Sequence, residues 1–209
     1  AAEEGPRGTR AFEVGAFDRI SVAGPHEVTV EVGGAPSVRA AGSERSLERL
    51  EVEVEDGGLR IGARRGRWLG GGRNPRPLDI RVTVPSLSAA EMTGSGEMRI
   101  DRVETARFEG ELTGSGTLAI AALQAEEARL SVTGSGALSA AGRADATRIG
   151  VTGSGRADLS ALESRAAEAS IRGSGGIRLR AREAVHADIA GSGDVHVAGG
   201  ATSPLKGAM

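Results

Sequence analysis

The chain reads as all-β, a parallel β-solenoid wound as a single-stranded β-helix, and three observations predict it. The first is a repeat. Gly-Ser-Gly occurs six times, as Gly94-Ser95-Gly96, Gly114-Ser115-Gly116, Gly134-Ser135-Gly136, Gly153-Ser154-Gly155, Gly173-Ser174-Gly175 and Gly191-Ser192-Gly193, at steps of 20, 20, 19, 20 and 18 residues. Small residues at a fixed phase with a period near 20 mark a stacked coil. The second is the columns that the repeat aligns. Met92, Leu112, Val132, Val151, Ile171 and Ile189 stand two residues before the motif. Met98, Leu118, Leu138, Ala157, Ile177 and Val195 stand two after it, and Ile100, Ile120, Ala140, Leu159, Leu179 and Val197 four after it. Apolar residues alternate with polar ones on both sides, the period of a strand with one face buried. The third is composition. Aromatics are 2% of the 209 residues, whereas glycine numbers 33. That suits a thin aliphatic interior with many corners better than a compact core anchored by large rings.

In chain order, residues 1–10 are expected to be a flexible N-terminal segment, and 11–88 a strand-rich but less regular part of the same solenoid. Alternation marks strands at Ile20–Val22, Val28–Val32, Leu50–Val54, Leu59–Ile61 and Ile80–Val84, separated by turn residues at Gly24-Pro25, Gly33-Gly34 and Asp56-Gly57-Gly58. One short helix is expected from Ser43 to Leu50, with Ser43 as N-cap. Residues 64–77 hold several glycines and prolines, five arginines and Trp68, and read as an exposed loop. The coils proper run over 89–200, with length variation absorbed near Gly142-Arg143 and Arg180-Ala181-Arg182. Residues 201–209 form a tail or an incomplete last coil with an open edge. A single unit cannot bury its apolar face, so stability requires stacking in register. A right-handed coil is expected from the general handedness of parallel crossovers.

These residues resemble the bacterial head GIN domain, or putative auto-transporter adhesin, family. The resemblance rests on an ordered set: Phe17 to Gly24, Leu47 to Leu50 leading into Val54 to Ile61, the Val82-Thr83-Val84-Pro85-Ser86-Leu87 element, and then the Gly-Ser-Gly repeats. It implies a β-solenoid of an exported or surface-attached protein whose biochemical role is largely undefined. It also implies a further coil after Gly199-Gly200, where this chain instead runs from Ala201 to Met209.

Bulk properties bound the function. A net charge of -2 gives no overall drive toward nucleic acid. No apolar run is long enough to span a bilayer as a helix. Without cysteine there is no disulfide, thiol nucleophile or thiolate metal site. The opening Ala1-Ala2-Glu3-Glu4-Gly5 fits the product of signal-peptide cleavage, so export to the periplasm or cell surface is expected.

Each chemical candidate has a plainer reading beside it. Six serines without a shared histidine do not make a nucleophile, and Gly-Ser-Gly is neither a nucleophile elbow nor a phosphate loop. A tight corner is expected instead, with glycine supplying positive φ and the serine hydroxyl satisfying backbone groups. His26, His186 and His196 are scattered, so no metal is expected. The residues after the motif are Glu97, Thr117, Ala137, Arg156, Gly176 and Asp194, not the acidic column that periodic calcium needs. No cofactor is expected. The local patch with binding character is Arg64, Arg65, Arg67, Trp68 and Arg73, residue types enriched at binding hot spots and suited to anions.

The reading is therefore a non-enzymatic exported module that binds a surface glycan or an envelope protein. The alternatives are a carbohydrate-active β-helix enzyme, disfavoured because Phe108 is the one aromatic of the repeat half, and a purely structural assembly module.

Overall fold

The computed structural model describes residues 6–64 and 76–200 and the backbone of 205–207. It is a β-solenoid of about six turns. Three ladder-paired segments recur in each coil. The first follows the Gly-Ser-Gly corner, a short second one begins near Leu123, and the third leads into the next corner. They are parts of long bent strands: β10 (Val103–Gly114), β11 (Thr117–Gly134), β12 (Ala137–Gly153), β13 (Arg156–Gly173) and β14 (Gly176–Gly191). Neighbouring coils are parallel and in register, with Leu112 on Val132, Val132 on Val151, Val151 on Ile171 and Ile171 on Ile189. Like sits on like because the alternation has the same phase in every unit, and a one-residue slip would turn every apolar side chain outward.

Registers shift where lengths differ, between Ile120 and Leu123 opposite Gly142, and between Leu159 and Glu163 opposite Arg180. These are the two places where the sequence shows slack. The interior is narrow. Phe108 is fully buried, and Thr147 and Ser164 satisfy each other inside through a 2.7 Å hydrogen bond.

The stack starts before the first Gly-Ser-Gly. β2 (Arg19–Ala23) lies between β6 (Gly58–Ala63) and β8 (Ala89–Gly94), which extends the buried ladder to Ile61–Val22–Met92. β3 (Glu27–Val32) lies between β7 (Asp79–Val84) and β9 (Glu97–Ile100). Between β2 and β3, Gly24-Pro25-His26 occupies the corner column. Gly24 has φ +122°, and Glu97 N donates to His26 O at 2.9 Å, just as Thr117 N donates to Gly96 O at 3.0 Å one coil later.

Antiparallel strands close this end. β4 (Ser37–Ser43) pairs with β7, and β5 (Leu50–Glu55) pairs with β6. The helix α1 (Glu44–Arg49) joins them and contributes buried Leu47. Ser43 caps it as expected, its hydroxyl accepting from Ser46 N.

Two expectations need correction. Residues 1–10 are not a flexible segment throughout, because Arg7–Phe12 form β1, paired antiparallel with β4. Nearly all of its side chains face outward, so no apolar alternation announced it; Arg10 is fixed by donating to Leu47 O and lying 4.6 Å from the Phe12 ring. Ile189 is only partly buried, unlike the rest of its ladder. The strand stacked on it, β16 (Leu205–Gly207), is three residues long, and among the described residues β15 (Asp194–Ala198) pairs only with β14.

Candidate binding surface

On the third segment the outward residues form two columns across successive coils. One runs Arg19, Ala89, Glu109, Arg129, Arg148, Glu168, His186; the next runs Ser21, Glu91, Glu111, Ser131, Gly150, Ser170, Asp188. Between and around them lies a groove of about 930 Å³ that reaches from Asp56 and Gly58 to His186. At the spacing of strands it spans roughly 34 Å from β6 to β14. Its floor is made of small groups, Ser21, Ala89, Ser131, Gly150 and Ser170 among them.

Gly150 stands out because the fold does not require it. Its backbone is not left-handed, and an added Cβ would meet nothing closer than Ser170 Oγ at 3.4 Å, an ordinary contact. The missing side chain deepens the groove.

Electrostatics divide the groove. Arg148 pairs with Glu168 at 3.1 Å, and Glu127 accepts from Arg129 at 2.8 Å and from Arg107 at 3.0 Å. The hydrogen bond from Arg129 is the main cause that holds the Glu127 carboxyl below its ordinary range; desolvation opposes it, and the charge of Arg129 and the contact with Arg107 add to it. Toward the capped end, Glu91 accepts a long hydrogen bond from Ser21, and Glu111 is its rung neighbour. Arg19 donates to the carbonyl of Asp56. The surface thus offers carboxylates, guanidiniums and hydroxyls in alternation over its length, suited to hydrogen-bonding an extended polar chain.

The residues singled out from the sequence fall elsewhere. Arg64 is exposed just after β6, its amide donating to Arg49 O; Arg65, Arg67, Trp68 and Arg73 lie outside the described residues. The serine column is solvent-exposed from Ser95 to Ser192. Contrary to expectation, none of its hydroxyls makes a hydrogen bond among the described residues. The corner is closed instead by backbone, Ser135 N and Gly136 N both donating to Gly114 O at 2.9 and 3.0 Å.

His186 and His196 are exposed, while His26 is buried with Nδ1 accepting from Leu78 N at 3.3 Å. Burial holds the His26 pKa below its ordinary value. No group of three or more metal-ligating side chains occurs among the described residues.

The groove escaped the sequence reading because each outward column was visible but not which pair of columns leaves a hollow. The one available signal was the run Ser131, Gly150, Ser170 at the same phase as Glu91 and Glu111.

A family model described as putative auto-transporter adhesin, head GIN domain, matches residues 16–201. The chain belongs to this family. The match begins beside β2, so the edge strand β1 lies outside it. Solved structures give the same fold for this head GIN domain. A putative adhesin of Bacteroides fragilis superposes with a TM-score of 0.84 at 21% identity, covering 97% of each chain. A putative lipid binding protein of Parabacteroides distasonis superposes at 0.78 with 24% identity, covering 97% of this chain and 94% of its own. A putative adhesin of Parabacteroides merdae follows at 0.70 and 14%, over 97% and 93%. No functionally curated protein matches. None of the helices among the described residues is long and apolar enough to cross a membrane.

Proposed function

We propose that this head GIN domain is a non-enzymatic binding module working outside the cytoplasm, in the periplasm or at the cell surface, that holds an extended surface glycan or envelope protein along the third-segment groove. The observation that carries the reading is the groove itself, with its small-residue floor and alternating polar walls. The name adhesin borne by the family and by two of the similar structures supports a binding role.

Binding works through side-chain hydrogen bonds and charge. The rigid stack presents these groups with little ordering cost, which is how a preorganised surface gains affinity. The segment 64–77 is a second, cationic contact in this proposal, Arg64, Arg65, Arg67 and Arg73 engaging anionic parts of the same partner with Trp68 beside them.

The test is a panel of bacterial and host surface glycans and purified envelope proteins, probed with the wild type and with Gly150→Trp. The substitution fills the hollow at a position where the backbone accepts a side chain. Loss of at least tenfold in binding with an unchanged melting temperature is expected. Unaltered binding by Gly150→Trp would remove the groove from the reading.

A further inference from the structure

A second hollow lies across the corner, on the first segment, and its chemistry is different. It has a volume of about 470 Å³, and Gly176 is among its lining residues. The other coils place Glu97, Thr117, Ala137, Arg156 and Asp194 at this phase. The fold does not ask for glycine here: the backbone is not left-handed, and an added Cβ would have only Asp194 O near it, at 3.9 Å. Arg156 is its rung partner on one side and Asp194 on the other. Arg178 stands two residues along the same strand. Ser154 and Ser174 line the hollow from the corner.

Neither arginine makes a salt bridge among the described residues, although the charge of Arg178 adds to the Ser160 hydrogen bonds in holding the Asp158 carboxyl below its ordinary range. Asp158, opposite Arg178, is already engaged, its Oδ1 accepting from Ser160 N at 3.1 Å and from Ser160 Oγ at 2.6 Å. Adjacent rungs and a two-residue step put the Arg156 and Arg178 Cα atoms about 8 Å apart on a diagonal, within reach of two long side chains. Two guanidiniums lining one hollow suit a planar carboxylate, which accepts a two-bond fork from one and a further N–H bond from the other. The rest of the hollow suits hydroxyls. Ser154 and Ser174 donate or accept, and Asp194 accepts. An inorganic phosphate dianion has one hydroxyl to set against both Asp194 and Asp158 and brings a second negative charge beside them, whereas a monoanionic polyol brings several hydroxyls and a single charge.

We propose that the notch at Gly176 binds a carboxylated sugar unit of an acidic glycan, its carboxylate held between Arg156 and Arg178. The site is separate from the third-segment groove and stands or falls without it.

The test titrates the 209-residue chain with hexagalacturonate, maltohexaose, inorganic phosphate and phosphatidylglycerol vesicles, at low and high salt. Hexagalacturonate should bind, maltohexaose at least tenfold more weakly, and high salt should weaken the uronate. Arg156→Ser/Arg178→Ser should lose at least tenfold. Gly176→Gln, which fills the notch while leaving both cations, should lose as much with an unchanged melting temperature. Ser135→Ala, outside both hollows, should bind the uronate as the wild type does. Should the double arginine variant fail to fold, Gly176→Gln decides alone. The proposal is overturned by absent uronate binding, by wild-type affinity in either notch variant, by equal binding of maltohexaose, or by tighter binding of phosphate or the lipid surface.

Discussion

Replacing Gly134 by alanine should destabilise the protein far more than replacing its neighbour Ser135. Gly134 has φ +110°, a conformation that side chains rarely adopt, and its added Cβ would fall 2.6 Å from the carbonyl oxygen of Gly114 in the coil before. That oxygen cannot simply move away, because it accepts from both Ser135 N and Gly136 N. Holding a non-glycine residue in such a conformation costs about 1–3 kcal/mol. Forcing the rung apart adds about 1–3 kcal/mol of overpacking. The sum is roughly 2–6 kcal/mol. The Ser135 hydroxyl is exposed and makes no hydrogen bond, so Ser135→Ala should stay within about 0.5 kcal/mol of the wild type. This is below the expectation that a turn hydrogen bond is lost. Urea unfolding of both variants gives the comparison, with the m-value checked for constancy so that a shifted midpoint reports stability. Gly134→Ala within about 0.5 kcal/mol of the wild type, or Ser135→Ala as costly as Gly134→Ala, would refute the account of the corner.

Three further outcomes are expected. Ile171→Ala should cost about 2–5 kcal/mol through lost burial and a cavity, and Ile189→Ala in the same ladder distinctly less, since Ile189 is only partly buried; equal costs in denaturant titrations would contradict that difference in burial. Burial lowers the His26 pKa below 6.5, so folding favours the neutral imidazole: its stability contribution is present above pH 6.5 and is lost as pH falls from there through the folded value. Thermal melts of wild type and His26→Gln at pH 7.5 and 5 should therefore converge at the lower pH; a constant gap would show that His26 does not titrate against folding. Changing Arg64, Arg65 and Arg67 to Ser should weaken binding of an anionic partner and flatten its salt dependence without lowering the melting temperature, because exposed charges are screened over about 8–10 Å at ordinary ionic strength. Identical salt curves for variant and wild type would leave those arginines out of the site.

The repeat half was legible because every unit repeats one phase: Met92 to Ile171 fall in a single column whether counted in sequence or in space. Ser43 announced α1 because an N-cap is a local event. The first corner was not legible, since Gly24-Pro25-His26 shares only its leading glycine with the later motifs. His26 shows why the third position differs there. A Cβ at Gly96 would collide with His26 O at 2.2 Å, whereas His26 sits where the glycine column begins and can carry a ring. β1 was invisible because most of its residues are exposed and Phe12 is its one large apolar residue packed on the core, which leaves no apolar alternation to read. Neither hollow could be found from composition. Each depends on which outward residues become neighbours across coils 18 to 20 residues apart, and registers shift between those coils.

Glycine is where fold and function separate most cleanly in this architecture. In the corner columns every motif glycine answers a steric demand, as at Gly116, whose Cβ would lie 2.5 Å from Gly96 O, so its presence says nothing about a ligand. Gly150 and Gly176 answer none, and each lies in a hollow of the outer surface. Strand interiors lose stability when they hold glycine without a structural reason, through backbone entropy and missing side-chain contact. A residue that weakens the strand and opens space at the same point is better explained by what the space admits than by the fold. Gly150→Ala and Gly176→Ala should accordingly be neutral or slightly stabilising in denaturant titrations. A cost above about 1 kcal/mol in either would show a structural demand and return that hollow to the scaffold.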